Sequence, residues 1–482
     1  MRDFRPILNI LGLLLCIESL AMFIPMLFDL FNSKPDWKQF FYIGSLTFFI
    51  GLVLNIGFKK EKNKINIRQA FLLTVLSWLL IAFFGSLPFV YSSSALSFTD
   101  AFFETVSGIT TTGSTVITQL DLLSEGVLVW RSMLQWFGGI GIIVLAVAIL
   151  PTLQIGGMQL LHMELDDPYE KTLPKINKFI LEITFVYISL TIICFFLYYI
   201  FGMSSFDALI HSLTTISTGG FSNHNLSFAF FNSYALENIS ILFMILGSLP
   251  FVLYLKFIHG EKKSIFKDEQ IRMFLLLLLF VITITLIWNK NFLDIAWGEA
   301  LRITVFNITS IFTGTGYVTS NYNEWGGFSL LIILIIMFIG GCAGSTTGGI
   351  KIFRLQILFR GVKLQIKKLT QPHAIILIRF NKKTVNENTN SSIISFFFIY
   401  ILIFILSSIG LSFFQLDFLT ALSASASAIS NVGPGIGEVL GPLGNYSNIH
   451  DIAKWILAIT MLVGRLEIFT ILILLSKNFW FK

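Results

Sequence analysis

The sequence predicts an all-α, polytopic membrane protein built from four tandem repeats behind an N-terminal two-helix hairpin. Three observations carry this. Of 482 residues 55% are hydrophobic and only 12% charged, about half the charge of an ordinary soluble domain, and mean hydropathy is +0.80. Apolar runs of about 20 residues recur, each long enough for a hydrocarbon core of about 30 Å. They are uniformly apolar, without the alternation of a transmembrane barrel. Finally, one short polar skeleton returns four times along the chain, at spacings of roughly one hundred residues, a period that can hold a whole membrane module.

Two apolar runs, about Ile7 to Leu30 and Phe40 to Phe58, come first and carry no copy of the skeleton, so residues 1–68 form a separate hairpin. The repeats follow as residues 69–160, 161–262, 263–383 and 384–482. Each reads as a spanning helix, a half-length helix, the skeleton and a second spanning helix. The spanning pairs are about Gln69 to Tyr91 with Gly126 to Leu150, and Phe179 to Phe201 with Tyr234 to Ile258. Next come Ile271 to Trp288 with Trp325 to Phe359, and Ser392 to Phe414 with Ile449 to Leu475. Half-helices start near Asp100, Asp207, Trp297 and Asp417, and the carboxylates of Asp100 and Asp207 suit free N–H groups at a helix start. Basic stretches at the N-terminus, Lys59 to Arg68, Lys256 to Arg272, Lys351 to Lys383 and the C-terminus all fall on one side by helix count. That side, with both termini, is cytoplasmic by the positive-inside rule, and the half-helices enter from outside. The net charge of +6 therefore reports topology, not nucleic acid. Cys16, Cys194 and Cys342 are isolated in membrane stretches and read as small core residues.

The skeleton is Ser107-Gly108-Ile109-Thr110-Thr111-Thr112-Gly113, Thr214-Thr215-Ile216-Ser217-Thr218-Gly219-Gly220, Ser310-Ile311-Phe312-Thr313-Gly314-Thr315-Gly316 and Ser427-Ala428-Ile429-Ser430-Asn431-Val432-Gly433. It is too polar to span and too uncharged for a solvated loop. Backbone carbonyls aimed at one axis can replace the water shell of a cation. Turning successive carbonyls inward needs backbone angles that glycine adopts freely, hence one glycine per copy: Gly113, Gly220, Gly316 and Gly433. The hydroxyls of Thr110, Ser217, Thr313 and Ser430 hold the strand or line the site, and half-helix C-termini add partial negative charge. Four such copies meeting on an axis form an ion selectivity filter.

These repeats resemble the Trk/Ktr/HKT superfamily of potassium transporters over essentially the whole chain, and the extra hairpin resembles the long TrkH branch more than the shorter KtrB branch. The resemblance implies a gated, channel-like pore for potassium uptake across a bacterial inner membrane. It carries ion-coordinating carbonyls to Thr111 and Thr112, Thr218 and Gly219, Gly314 and Thr315, and Asn431 and Val432, beside the four glycines. It also implies a homodimer and a cytosolic TrkA-like nucleotide-binding regulatory subunit, which the basic Lys351 to Lys383 face docks unless it meets anionic lipid instead. Potassium is then the substrate, and the chain binds no cofactor of its own.

Two further features stand out. Gly340, Gly341, Gly344, Ser345, Thr346, Thr347, Gly348 and Gly349 interrupt the third repeat's second helix. A phosphate loop fails here because Ile350 separates Gly349 from Lys351 and no strand precedes it. The residues leave a tightly packed kinked helix open, whereas the resemblance implies an intramembrane gating loop. Arg465, mid-span in the last helix, needs water, a pore or an acid. The resemblance makes it a barrier in the pore, and a structural ion pair is the alternative. Glu467 lies on another face of that helix, so a pairing acid must come from elsewhere. Glu18 is also buried by sequence, with no role assigned. An alternating-access cation symporter, coupled to sodium or protons, competes in the transporter class but usually shows inverted repeats. A voltage sensor's arginine ladder and an intramembrane enzyme's Ser-His or His-Glu-x-x-His pair are missing from the sequence.

Overall fold

The computed structural model describes residues 3–59, 65–146, 173–373, 377–381 and 383–480. The hairpin is α1 (Arg5–Phe31) and α2 (Trp37–Gly57). The first repeat holds α3 (Ile67–Tyr91), half-helix α4 (Phe98–Ile109) and α5 (Glu125–Val144). The second holds α6 (Leu173–Ile200), half-helix α7 (Ser205–Ile216), α8 (Tyr234–Gly247) and α9 (Phe251–Ile258). The third holds α10 (Glu269–Phe292), half-helix α11 (Trp297–Phe312), α12 (Gly326–Met337) and α13 (Ile352–Thr370). The fourth holds α14 (Glu387–Phe413), half-helix α15 (Phe418–Ser430), α16 (Asp451–Arg465) and α17 (Ile468–Leu475). Lys60 to Lys64, the expected end of α5 at Leu150 and the division at 160/161 lie outside the described residues.

The repeats close a ring. Each second helix packs on the next repeat's half-helix: α5 on α7, α8 on α11, α12 on α15, and α16 back on α4. The apolar core accordingly lies at the seams. Phe103, Val106 and Ile109 of repeat one pack with Ala424, Ala453 and Leu457 of repeat four, while Phe306 and Tyr317 of repeat three join the core of repeat two. The hairpin packs through α1 on α3 and α5, outside the ring.

Two expectations need correction. The second spans of repeats two and four are not continuous: α8 and α9 meet at 92°, α16 and α17 at 110°. Pro250, which cannot donate, lies in the first break, and the Phe251 N–H after it bonds the Gly344 carbonyl at 3.0 Å. At the second break Glu467 has φ +61°. Repeat three's second span is likewise split, leaving α12 as 12 residues. Seven described helices are long and apolar enough to span, nine if each bent pair counts once. Asp100 and Asp207 do not cap their helices either. The caps are Ser97 and Ser204, whose hydroxyls accept the N–H of Asp100 and Asp207 and donate to their carboxylates. Asp417 does cap α15.

Candidate functional site

All four half-helices end in the same turn. The residue two before the skeleton glycine has left-handed backbone: Thr111 φ 52°, Thr218 φ 51°, Gly314 φ 68°, Asn431 φ 57°. The next N–H reaches back to the carbonyl of the skeleton's first hydroxyl residue. These bonds are Thr112 to Ser107 at 2.8 Å, Gly219 to Thr214 at 2.9 Å, Thr315 to Ser310 at 2.8 Å and Val432 to Ser427 at 3.0 Å. This is a Schellman cap, which ends a helix and turns its strand sharply. The final glycines are again left-handed, with φ from 73° at Gly220 to 106° at Gly433. Two left-handed residues flanking an ordinary one tilt successive carbonyls toward one side of the strand.

The four strands meet in cyclic order. A Cβ on Gly113 would run into the Gly219 carbonyl oxygen, one on Gly220 into that of Thr315, one on Gly316 into that of Val432, and one on Gly433 into that of Thr112. Each glycine thus faces the next repeat's carbonyl, one residue ahead of that repeat's own glycine. The ring is buried, with Gly113, Gly220 and Gly316 partly exposed at its outer mouth. The carbonyls of Thr112, Thr315 and Val432 receive no hydrogen bond among the described residues. Buried backbone acceptors are rarely left so. Water or a cation can satisfy such oxygens.

Three of the four predicted supporting hydroxyls bond within their own half-helix and strand, and Ser430 reaches another helix. Thr110 Oγ1 reaches Val106 O and Thr112 Oγ1, both at 2.7 Å. Ser217 Oγ donates to Leu213 O at 2.9 Å, and Thr313 Oγ1 lies 2.8 Å from Thr315 Oγ1. Ser430 Oγ meets the Tyr400 hydroxyl at 2.7 Å. Tyr317 stitches across a seam, its hydroxyl 2.6 Å from Thr214 Oγ1.

Beneath the ring, on the half-helix side, lies the glycine-rich segment. It is a buried loop rather than a kinked helix, pinched at its base where Ile350 N donates to Phe338 O and Gly340 N to Ile350 O, each at 2.9 Å. Its top touches two strands: Thr218 Oγ1 donates to Thr346 Oγ1 at 3.1 Å, and a Cβ on Gly348 would hit the Ser430 carbonyl. Gly340, Gly341, Gly344, Ser345, Thr347 and Gly349 complete its course. Thr346 N and Oγ1 both donate to Gly247 O, at the break after α8. The glycines of the second helices serve close packing: Gly138 and Gly464 abut the carbonyls of Ile109 and Ile429.

Three buried cations surround the loop. Arg465 Nη2 donates to Thr346 O at 2.8 Å, while its Nε and Nη1 have no partner among the described residues. Lys351 Nζ donates to Thr347 O at 2.5 Å. Arg354 pairs with Glu467 at 2.7 Å and lies 3.8 Å from the Phe396 ring centre. The acid beside Arg465 in sequence therefore serves another arginine, and no acid among the described residues pairs with Arg465 itself. Glu18 is buried beside Gly85, both carboxyl oxygens without a partner among the described residues.

Sequence reasoning missed Glu104, Arg131 and Gln135. All three are buried, and Arg131 pairs with Glu104 at 2.8 Å. For Arg131 the signal was there: a charge inside a predicted span marks a functional candidate, and Arg131 falls in the span expected from Gly126 to Leu150.

Comparison with known proteins agrees with this architecture. A family model described as TrkH, cation transport protein, matches residues 37–480. The Trk system potassium uptake protein TrkI of Halomonas elongata is 39% identical over 481 residues, covering 100% of this chain and 98% of that protein. The Trk system potassium uptake protein TrkH of Vibrio parahaemolyticus is 39% identical over 486 residues, covering 99% of each. The crystal structure of the potassium transporter TrkH from Vibrio parahaemolyticus superposes with a TM-score of 0.92 at 36% identity, covering 100% of both chains.

Proposed function

This chain belongs to the TrkH family of cation transport proteins, and we propose that it takes up potassium through a gated pore whose selectivity filter is the four-strand ring. The observation that carries this reading is the closed order of glycines against carbonyls, repeat one to two to three to four and back. A cation entering the mouth at Gly113, Gly220 and Gly316 exchanges water for the carbonyls of Thr112, Gly219, Thr315 and Val432 and the turns before them. The C-termini of α4, α7, α11 and α15 converge on the same point, and their dipoles favour positive charge there. The four strands differ in sequence, so selectivity is shared among unequal quadrants.

Conduction is interrupted below. The Gly340–Gly349 loop fills the space under the strands, and Arg465 and Lys351 set positive charge in the path of a leaving cation. Opening requires the loop to leave Thr218, Ser430 and Gly247. Its downstream stem is α13, which carries Arg360, Lys363, Lys367 and Lys368. That basic helix is the cytoplasmic surface through which a regulatory subunit moves the loop, and the working form is a homodimer in the inner membrane with both termini cytoplasmic.

The test is isotope uptake of potassium, rubidium and sodium into liposomes holding the full-length chain. In Gly316→Ser the new side chain collides with the Val432 carbonyl at a left-handed φ, and preference for potassium over sodium should collapse. A variant that folds and keeps its preference would rule the filter out.

A further inference from the structure

At one seam a side chain of the second helix reaches the strand of the neighbouring repeat directly. Gln135 of α5, fully buried, donates from Nε2 to Gly219 O at 2.6 Å and accepts Phe221 N–H on Oε1 at 3.0 Å. The two bonds demand the same amide orientation, so they fix each other. They bracket Gly220, the ring glycine of repeat two. One turn earlier on the same helix face, Arg131 donates to Ser222 O at 2.9 Å and lies 4.0 Å from the Phe221 ring centre. The same guanidinium is held from the other side by Glu104, which also accepts Val116 N–H at 2.9 Å, just past the strand of repeat one.

Two comparisons within the molecule mark this as more than packing. Measured from the glycine that abuts a half-helix carbonyl, Gln135 stands three residues before Gly138. The places three before Gly247 and Gly464 are Met244 and Met461, which cannot donate. Gly219 is also the sole ring position of its kind without a side chain, where the other repeats carry Thr112, Thr315 and Val432. Its backbone does not require glycine, since its φ is not positive. Its space does: a Cβ there would collide with the Gln135 carboxamide. The glycine is matched to the glutamine.

We propose that Gln135 is a specificity-determining positioning residue, a splint that fixes the Gly219 carbonyl and the Gly220 turn so that the repeat-two quadrant presents its oxygens at a set radius. This rests on reading the ring as the filter. A carbonyl has two lone pairs. One held by a buried amide leaves the other aimed and less free to follow a smaller ion inward. Without the splint, Gly219 O and Phe221 N–H lose their partners together, and the quadrant relaxes around whichever ion enters.

Gln135→Met, which installs the residue found at 244 and 461, is assayed beside Gly316→Ser with the full-length chain in liposomes, using potassium and sodium tracers. The potassium-to-sodium uptake ratio should fall about tenfold in Gln135→Met, the scale of one net hydrogen bond. If Gly316→Ser destroys the ratio and Gln135→Met leaves it unchanged, the splint is wrong and the filter stands. If neither moves it, the filter reading falls and takes the splint with it. Should Gln135→Met fail to fold, Gln135→Asn, one methylene too short to reach both partners, replaces it and must show the same fall. A second readout is the extra melting stability conferred by potassium over sodium, which shrinks in either variant if the splint acts on the ion site and is unchanged if Gln135 only packs.

Discussion

The layer that holds the ring and the layer beneath it are built on opposite rules. In the ring the backbone devices appear four times: a Schellman cap, a left-handed residue, a glycine against the next repeat's carbonyl. Beneath it no such fourfold repetition is kept. The loop belongs to repeat three, Arg465 to repeat four, and the breaks that make room for them follow α8 and α16. Ion coordination around an axis, as proposed for the ring, draws oxygens from all sides, so duplication of the backbone turn serves it. Obstruction needs one movable object, and four copies of it would crowd the axis. The ring is where the repeats agree, and the layer beneath is where they diverge.

That contrast is broken most directly through Arg465. Replacing it with alanine removes a buried cation from the proposed path and the 2.8 Å anchor on Thr346 O. Potassium flux into liposomes should rise, about tenfold or more given the cost of a cation passing a buried positive charge. The potassium-to-sodium ratio should stay that of the parent, because no strand of the ring is touched. Unchanged flux would remove the barrier role, and a changed ratio would mean that the two layers are not separable.

A smaller effect separates two glycines of one strand. Gly316 and Gly314 are both left-handed, but a Cβ on Gly314 finds ordinary contacts, 3.6 Å to Asn431 O and 3.8 Å to Gly348 N. Thr111, Thr218 and Asn431 already occupy this position with side chains. Gly314→Ala should therefore keep ion preference and lose only the cost of a left-handed alanine, about 1 to 2 kcal/mol, read as a lowered melting temperature. Loss of selectivity equal to that of Gly316→Ser would show that shape at the turn, and not the approach of glycine to carbonyl, sets the filter.

What was legible in the sequence follows the same division. Four unequal copies on matching hydropathy disclose the repeats, because duplication leaves a period. The left-handed positions at Thr111 and Thr218 do not show, since β-branched residues are the last expected there and only the cap geometry imposes them. The breaks after Gly247 and Arg465 carry local marks in Pro250 and Glu467, but the longer runs on both sides stay apolar, and hydropathy measures composition, not direction. Gln135 is invisible for another reason. Its partners, Gly219 and Phe221, are 84 and 86 residues away and belong to the next repeat, and a single sequence carries no record of which repeats become neighbours.

The smallest effect lies above the ring, at the same seam that Gln135 braces. His224 stands between two carboxylates, Nδ1 2.9 Å from Asp121 and Nε2 3.1 Å from Asp207, and joins the outer loop of repeat one to the start of α7. An imidazole facing acids through both nitrogens must donate from both, so the clasp needs the imidazolium. Burial pulls its pKa down, but the hydrogen bonds to Asp207 and Asp121 outweigh that and hold it above the ordinary histidine value. The sign follows. Its contribution is complete below about pH 6.5, the value of a free histidine, and is lost as pH rises through the higher folded value. Asp207 is opposite in direction, held below its usual range by His224, Asn223 and Ser204 against the effect of burial, so it stays ionised throughout that window. The melting temperature of the parent minus that of His224→Gln should therefore shrink between pH 6 and pH 9, by about one or two degrees in a chain of this size. A difference that does not vary with pH would mean that His224 holds the seam by its stacking on Phe230 alone, ring centres 3.5 Å apart, and that the outer mouth carries no charge-dependent clasp.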